Sequence, residues 1–316
     1  MNKKVSFFLR CAVSLGLLYA LTKFVPYDEL LKTFADSHKI YIFYAFLAFI
    51  FAHIVIVLRW RFLLFSLGIK VSFLEAGIAF LCGLFFNLFF PSFVAGDAFR
   101  AFSIFSQYKQ GSKVASSVLM DRFSGAVGLV MLVAVFYFFG RHLIPTIQVL
   151  TPLGLFFLFV GLWALFIFSK SFFLFFAKVL KKHPALHEKA ITLHDQLYFF
   201  KEKPSVFFRS LFYSVSVHIF VSLGFFLASR GFGVQISFIY FLILVPIIMA
   251  IAMIPITIVG AGSREAAAVY FFSLIGIAPK ISFGMSLLNL AFFVFAGILG
   301  GIIYVSVYHR WLQRNS

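Results

Sequence analysis

The sequence predicts an all-α polytopic membrane protein, a single transmembrane domain over residues 1–316 with two inverted-topology halves, about six full crossings and two re-entrant or broken-helix hairpins. Composition is the first observation, since 63% of the 316 residues are hydrophobic, 50 are Phe and only 12% are charged. Apolar runs that approach or exceed the length needed to cross a bilayer recur along the whole chain. The distribution of basic residues between these runs and a motif that occurs twice are the other two observations.

The apolar runs define the predicted crossings in order. They lie at residues 5–25, 40–58, 73–90, 114–139, 151–176, 206–229, 236–258 and 281–308, with a weaker run at 264–278. The first run follows a basic start and lacks a clear small-x-small cleavage site, which favours an uncleaved signal anchor. Residues 24–37 and 177–200 mix apolar and charged positions at helical spacing, as in helices at the headgroup boundary or in ordinary loop helices.

The basic residues predict which side of the membrane each gap occupies. Residues 170–205 carry seven lysines against three acidic residues, so we place this gap in the cytoplasm, together with both chain termini and the 59–70 gap. The sides assigned to these gaps and termini require residues 73–106 and 236–278 to enter the membrane and return to the same face. The alternative is that both segments cross the membrane fully. The halves 1–140 and 150–316 then have opposite orientations, and residues 177–205 form a basic cytoplasmic amphipathic linker. The predicted location is the bacterial cytoplasmic membrane.

Both predicted hairpins contain a proline followed five residues later by a glycine and nine residues later by an arginine. The two sets are Pro91, Gly96 and Arg100, and Pro255, Gly260 and Arg264. Non-helical backbone at membrane depth is tolerated only where it is buried in protein or lines a watery cavity. The breaks therefore predict an internal site, at which helix amino termini and arginines suit an anion such as a phosphodiester.

Charged residues near these breaks are the other candidates for this site. Asp97 stands three residues before Arg100 and either neutralises it or contributes to binding. We expect Glu265, adjacent to Arg264, to project elsewhere on the helix and to need a partner. Asp121 and Arg122 lie inside a crossing, where charges indicate either function or an interhelix salt bridge. The complete set of predicted substrate-binding residues is Asn87, Pro91, Ser92, Gly96, Asp97, Arg100, Asp121, Arg122, Pro255, Thr257, Gly260, Gly262, Arg264 and Glu265.

Other polar residues support no catalytic, cofactor or metal site. His183, His187 and His194 occur in a basic amphipathic stretch without cysteine or clustered carboxylates, which is typical of solvated surface. We expect neighbouring helices to satisfy His53 and His218, with a proton-coupling role left open. The Arg59-Trp60-Arg61 sequence is typical of an interface anchor. We therefore predict no metal, no cofactor and no enzymatic activity, and the chain has no P-loop.

Four stretches together resemble the lysylphosphatidylglycerol synthase transmembrane-region family. They are RWRFLL (59–64), GLFFNLFFPSFVAGDAFRAF (83–102), DRFSGAVGL (121–129) and PITIVGAGSREAAAVYFF (255–272), which stand in the family's order. The family's usual paired glycine before the aspartate is Ala95-Gly96 in this chain. The resemblance implies a flippase-like membrane region, as in multiple peptide resistance factors. The soluble synthase part is absent from residues 1–316, so it implies lipid translocation without aminoacyl transfer.

The sequence leaves three functional hypotheses. The first is transport of a phospholipid or a lipid-linked anionic headgroup between leaflets, with Arg100 and Arg264 holding the phosphate. The second is a lipid-phosphate enzyme that uses Asp97 or Glu265 as general base. The third is a scaffold for a separately encoded lipid-modifying enzyme. The expected partners are membrane phospholipids or a polyprenyl-linked lipid. Nucleic acid is not expected, because the basic residues flank apolar runs as topology signals and headgroup contacts. A homo-oligomer remains open.

Overall fold

A computed structural model describes residues 27–89, 94–140, 146–254, 257 and 260–308, and these residues form helices joined by short connections without a β-strand. The predicted first crossing at 5–25, both chain termini, Pro91, Ser92 and Pro255 lie outside the described residues. The described part of the chain confirms the all-α class.

Twelve α-helices span the described residues. They are α1 (Tyr27–Ala35), α2 (Lys39–Ser66), α3 (Phe73–Phe89), α4 (Val94–Tyr108), α5 (Gly111–Gly140), α6 (Thr146–Phe168), α7 (Lys170–Ala177), α8 (Pro184–Glu202), α9 (Pro204–Gly231), α10 (Phe238–Ala252), α11 (Ser263–Ser273) and α12 (Pro279–Ile303). A 3₁₀ helix (Lys178–Lys182) joins α7 to α8, and a π-helical turn (Tyr304–Tyr308) follows α12.

Five of the described helices are long and apolar enough to cross a bilayer, namely α2, α5, α6, α9 and α12. Their lengths of 22 to 30 residues exceed the roughly 20 residues that a membrane span requires. The protein is therefore a multi-pass membrane protein. The remaining predicted crossing, at residues 5–25, lies before α1 and outside the described part of the chain.

Two pairs of shorter helices occupy the positions of the predicted hairpins. The pairs are α3 with α4 and α10 with α11, and within each pair the helices pack against each other. The returning helices have 15 residues in α4 and 11 in α11, so they rise only about 22 and 16 Å, less than the roughly 30 Å hydrocarbon core. Both segments are thus broken helices.

Packing between the halves is reciprocal. The α3 helix of the first hairpin packs on α12, the α10 helix of the second hairpin packs on α5, and α2 lies along α9. The largest core cluster surrounds α10, in which Phe241, Ile243 and Ile248 are fully buried. A helix that is apolar on all sides is expected at the centre of such a bundle. Inverted orientation of the halves remains a prediction.

Two predicted boundaries were wrong. The run at 40–58 continues as helix to Ser66, because the apolar sequence after Arg61 extends the same helix. The run at 151–176 is interrupted at Ser169, whose side-chain oxygen accepts a hydrogen bond from the Phe172 amide at 3.3 Å and caps α7. A serine at that position satisfies an amide that the new helix leaves without an intrahelical partner.

Candidate functional site

Five charged side chains from α2, α4 and α5 form one continuous chain of ion pairs. Asp121 Oδ1 lies 2.7 Å from Arg59 Nε, and Asp121 Oδ2 lies 2.9 Å from Arg100 Nη2. Asp97 Oδ1 lies 3.0 Å from Arg100 Nε, and Asp97 Oδ2 lies 2.6 Å from Arg122 Nε. Three guanidinium groups thus meet two carboxylates, so the chain of ion pairs has a net charge of one positive unit.

Exposure increases from one end of this chain to the other. The side chains of Arg100 and Asp121 are 3% exposed, Asp97 is 17% exposed and Arg122 is 30% exposed. Charges held deep in a membrane protein are costly unless they are paired, and removing one partner leaves the other uncompensated. The Asp121 end therefore supports the structure, whereas the Arg122 end is accessible to a ligand.

Helix geometry explains why two adjacent residues of α5 lie at different ends of this chain of ion pairs. Consecutive helical residues point about 100° apart, so Asp121 pairs with Arg59 and Arg100 while Arg122 pairs with Asp97. Asp97 and Arg100 are three residues apart on α4 and share one face. The predicted intrahelical pair is present, and the predicted interhelix role of Asp121 is present as well.

Aromatic and hydroxyl groups complete the buried end. The Arg100 guanidinium carbon lies 4.8 Å from the centroid of the Trp60 ring, within cation–π range. Trp60 Nε1 donates a hydrogen bond to Ser117 Oγ at 3.2 Å, and Arg59 Nη1 donates to Ser214 Oγ at 2.8 Å. These contacts fix the arginines in the positions from which they bind Asp121.

The first hairpin depends on a close approach of its two helices. A Cβ atom on Gly83 would lie 2.8 Å from the Gly96 carbonyl oxygen, so this contact requires glycine. Asn87 Oδ1 accepts a hydrogen bond from the Gly96 amide at 2.7 Å. The Gly96 amide lies in the first turn of α4, where amides have no intrahelical acceptor. Asn87 therefore uses one of the amides that we predicted for anion binding.

The second hairpin holds a self-contained network. Arg264 Nη2 donates to Glu265 Oε1 at 2.7 Å, and Ser286 Oγ of α12 donates to the same oxygen at 3.0 Å. Glu265 Oε2 accepts from the Gly262 amide at 2.6 Å. The Arg264 and Glu265 side chains are 5% and 0% exposed. The expectation that Glu265 points away from Arg264 was wrong, because both side chains turn toward Ser286.

Backbone conformation explains the glycines beside this network. Gly260 and Gly262 have φ angles of 71° and 90°, the left-handed region in which residues with a side chain are strained. Thr257 Oγ1 and Ser263 Oγ are 2.9 Å apart and hydrogen bonded. The loop thus delivers the Gly262 amide to Glu265 before α11 begins.

A cavity of about 980 Å³ lies between α4, α5, α6 and α10, with the loop of the second hairpin at one wall. Its described lining is apolar apart from Asp97, Arg122 and Thr257. Leu155 and Phe159 of α6 line it and are 67% and 54% exposed, so the cavity reaches the apolar outer surface of the bundle. The arrangement suits a molecule with apolar chains and a charged group.

The structure divides the predicted site residues into three groups. The residues that line the cavity are Asp97, Arg122, Thr257 and Gly260. The residues that support it from behind are Asn87, Gly96, Arg100 and Asp121. The residues of the separate second network are Gly262, Arg264 and Glu265. Arg100 and Arg264, our predicted phosphate ligands, are paired with carboxylates and do not line this cavity.

Sequence reasoning missed Arg59 and Trp60. We predicted an interface anchor, but Arg59 is 6% exposed and Trp60 is fully buried. The apolar residues after Arg61 were the available signal, since they extend α2 and place Arg59 seven residues before its end. Arg61 differs from its neighbours: it is half-buried, and its Nε donates to the Val71 carbonyl at 2.9 Å.

The histidines contribute no metal site in the described residues, which contain no group of three potential ligands. His53 Nδ1 and His218 Nε2 lie 2.8 and 3.0 Å from the carbonyls of Phe49 and Gly125, as expected for satisfied histidines. His194 was wrongly predicted as solvated surface, because it is 2% exposed and stacks on Phe173 at 4.1 Å. Burial lowers the pKa of His194 below its ordinary value of 6.5.

The fold and the site define a polytopic α-helical membrane protein with a cavity between broken helices. A family model described as the lysylphosphatidylglycerol synthase TM region matches residues 7–309, and the chain belongs to that family. It is similar to a UPF0104 membrane protein of Methanocaldococcus jannaschii, with 24% identity over 314 residues that cover 92% of this chain and 91% of the relative. No solved structure matches the chain significantly. Membership of this family is consistent with a membrane lipid-related role.

Proposed function

We propose that the protein moves a phospholipid or a lipid-linked anionic headgroup between the leaflets of the bacterial cytoplasmic membrane, acting as a transporter rather than an enzyme. The cavity carries this proposal: its described lining is apolar except for Thr257 and one charged pair, Asp97 and Arg122. That pair ends a chain of three arginines and two aspartates, so the excess charge is positive. An anionic headgroup balances that charge.

Each part of such a lipid has a matching part of the cavity. The Arg122 guanidinium offers a planar set of donors to phosphate oxygens, and Asp97 orients that guanidinium or binds a cationic headgroup. The apolar walls on α6 and α10 suit acyl chains. Arg122 is the eleventh residue after the start of α5, about 16 Å along a helix about 45 Å long, so the headgroup would lie inside the span rather than at its end.

The architecture supports a transport cycle. Reciprocal packing of α3 on α12 and of α10 on α5 fits two inverted halves that rock around a central site. The basic residues between α6 and α9 support cytoplasmic termini. In this proposal the cavity opens alternately toward the two leaflets while Asp97 and Arg122 stay at its centre.

Headgroup-selective lipid movement in proteoliposomes tests the proposal. Fluorescent phosphatidylglycerol is placed in both leaflets, and the outer-leaflet fraction is measured by chemical quenching over time. We expect Arg122→Gln to lower the protein-dependent rate at least tenfold, because a charge-assisted hydrogen bond contributes about 1.5–3 kcal/mol. Arg209→Gln is the matched control, since Arg209 is exposed on α9 and does not line the cavity.

The outcomes separate this function from its competitors. Equal rates for Arg122→Gln, Arg209→Gln and the unchanged protein would exclude the cavity as the path of the headgroup. Chemical conversion of the lipid by purified protein, followed by mass spectrometry, would instead support the enzyme hypothesis. Protein-dependent movement without conversion, lost in Arg122→Gln alone, supports transport.

A further inference from the structure

The segment between α6 and α9 forms a basic surface, which we call the basic platform and define as residues 170–203. It consists of α7, the 3₁₀ helix, α8 and Lys203. The platform carries seven lysines against three acidic residues, a net charge of four positive units at neutral pH. This charge is concentrated in one short segment, next to the membrane-spanning helices on either side.

Exposed apolar side chains accompany these lysines. Phe175, Val179 and Leu186 are 65%, 77% and 54% exposed, although each belongs to a described helix. Lys178 and Lys182 are exposed beside them. Large exposed apolar groups combined with lysines are the signature of helices that lie in the interface, with apolar groups in the acyl region and cations at the headgroups.

The end of α8 attaches the platform beside the cavity. Leu197 and Phe200 of α8 are 3% and 1% exposed and pack in one cluster with Phe123 of α5. The Phe123 ring is 5.6 Å from the ring of Trp163, which lines the cavity. Phe123 also follows Arg122 directly. The last turns of α8 therefore join the platform to the α5 and α6 walls of the cavity.

We propose that the basic platform binds the headgroups of anionic phospholipids in the leaflet on which it lies and supplies these lipids to the cavity. Supply to the cavity depends on the proposed transport function, whereas binding at the platform does not. Charge complementarity selects the occupant: lysines near an anionic leaflet each favour binding, and the apolar residues hold the platform at headgroup depth.

The test measures lipid preference of the full-length protein by native mass spectrometry in detergent containing equal amounts of phosphatidylglycerol and phosphatidylcholine. The variant Lys178→Gln/Lys182→Gln/Lys189→Gln removes three exposed platform charges. We expect it to lose at least tenfold in preference for phosphatidylglycerol, since each lysine near the surface contributes about fivefold. The matched control Lys32→Gln/Lys70→Gln/Lys109→Gln removes the same charge from exposed positions elsewhere.

Further variants make the result specific. The variant Lys178→Arg/Lys182→Arg/Lys189→Arg keeps the charge, so the preference for phosphatidylglycerol should be retained. An unchanged preference in the platform glutamine variant, or an equal loss in the control variant, would overturn the proposal. Arg122→Gln should lose lipid movement, and adding the platform glutamine substitutions to Arg122→Gln should still lower the preference for phosphatidylglycerol. If the unchanged protein moves no lipid but the platform glutamine variant still loses its preference, the proposed transport is wrong. Lipid binding at the platform is then still supported.

Discussion

The two hairpins share a sequence spacing but hold their arginines differently. In the first hairpin, Arg100 reaches Asp121 on α5, which also binds Arg59 on α2. In the second, Arg264 binds Glu265, its own neighbour in sequence. Arg100 thus belongs to ion pairs that connect three helices and reach the cavity through Asp97 and Arg122, whereas Arg264 completes a local network.

The partner helix accounts for this difference. Arg100 and Asp121 are 21 residues apart, and Arg264 and Ser286 are 22 apart, so a serine occupies on α12 nearly the position that a carboxylate occupies on α5. Glu265 supplies the missing charge from within the hairpin. The arginines share a spacing in sequence, but Arg100 is the seventh residue of α4 and Arg264 the second residue of α11. The residue that faces each arginine determines whether it joins a site or locks a loop.

Removing the shared carboxylate should have the largest effect. Asp121→Asn leaves Arg59 and Arg100 buried without their common anion, and breaking a buried ion pair costs about 3–5 kcal/mol. We expect a large loss in the free energy of unfolding, measured by denaturant titration in mixed micelles. Asp195→Asn, at an exposed position on α8, should change it little. A similar small loss for both variants would contradict the proposed role of Asp121.

In the second hairpin, Arg264 and Glu265 should behave as an isolated ion pair. Glu265→Gln removes the partner of Arg264 and weakens the acceptor for the Gly262 amide, which we expect to cost about 3 kcal/mol. Adding Arg264→Gln should recover more than half of that loss, because no other carboxylate among the described residues pairs with Arg264. A double-mutant cycle on unfolding free energies measures this coupling.

The same cycle on Arg100 and Asp121 sharpens the comparison. Adding Arg100→Gln to Asp121→Asn should recover little, since Arg59 still lacks its anion. Equal recovery in both hairpins would show that Asp121 serves Arg100 alone and would remove the difference between them.

The sequence was sufficient for the class of fold and for both hairpins, because length, apolarity and the proline-glycine-arginine spacing are local properties. Asp97 and Arg122 were predicted site residues because a charge at membrane depth is costly enough to require a reason. Both line the cavity, and their role in binding stays a prediction. The sequence could not predict how these charges pair, because the pairing depends on which helices face each other. Arg59 was misjudged because the end of α2 was placed at residue 58, and Glu265 because its rotamer is set by Ser286.

Close packing in the first hairpin gives the next largest effect. A Cβ on Gly96 would lie 2.6 Å from the amide group of Asn87, so Gly96→Ala should separate α3 from α4 and cost about 1–3 kcal/mol. Gly154→Ala on α6 is the control, because no atom lies within 4 Å of its new Cβ. Thermal unfolding in detergent compares the two. Equal midpoints would show that the first hairpin tolerates separation of its helices.

Substitution of Arg122 should have the smallest effect on stability. The size of that effect distinguishes a ligand-binding role of Arg122 from a structural one. The Arg122 side chain is 30% exposed, and its partner Asp97 also contacts Arg100, so Arg122→Gln leaves that carboxylate compensated. We therefore expect a loss in unfolding free energy below about 1 kcal/mol, as for a partly solvated ion pair. Arg264→Gln should lose more stability, because the fully buried Glu265 depends on it. If Arg122→Gln destabilises the protein as much as Arg264→Gln, both hairpins hold structural charges and the cavity loses its candidate ligand.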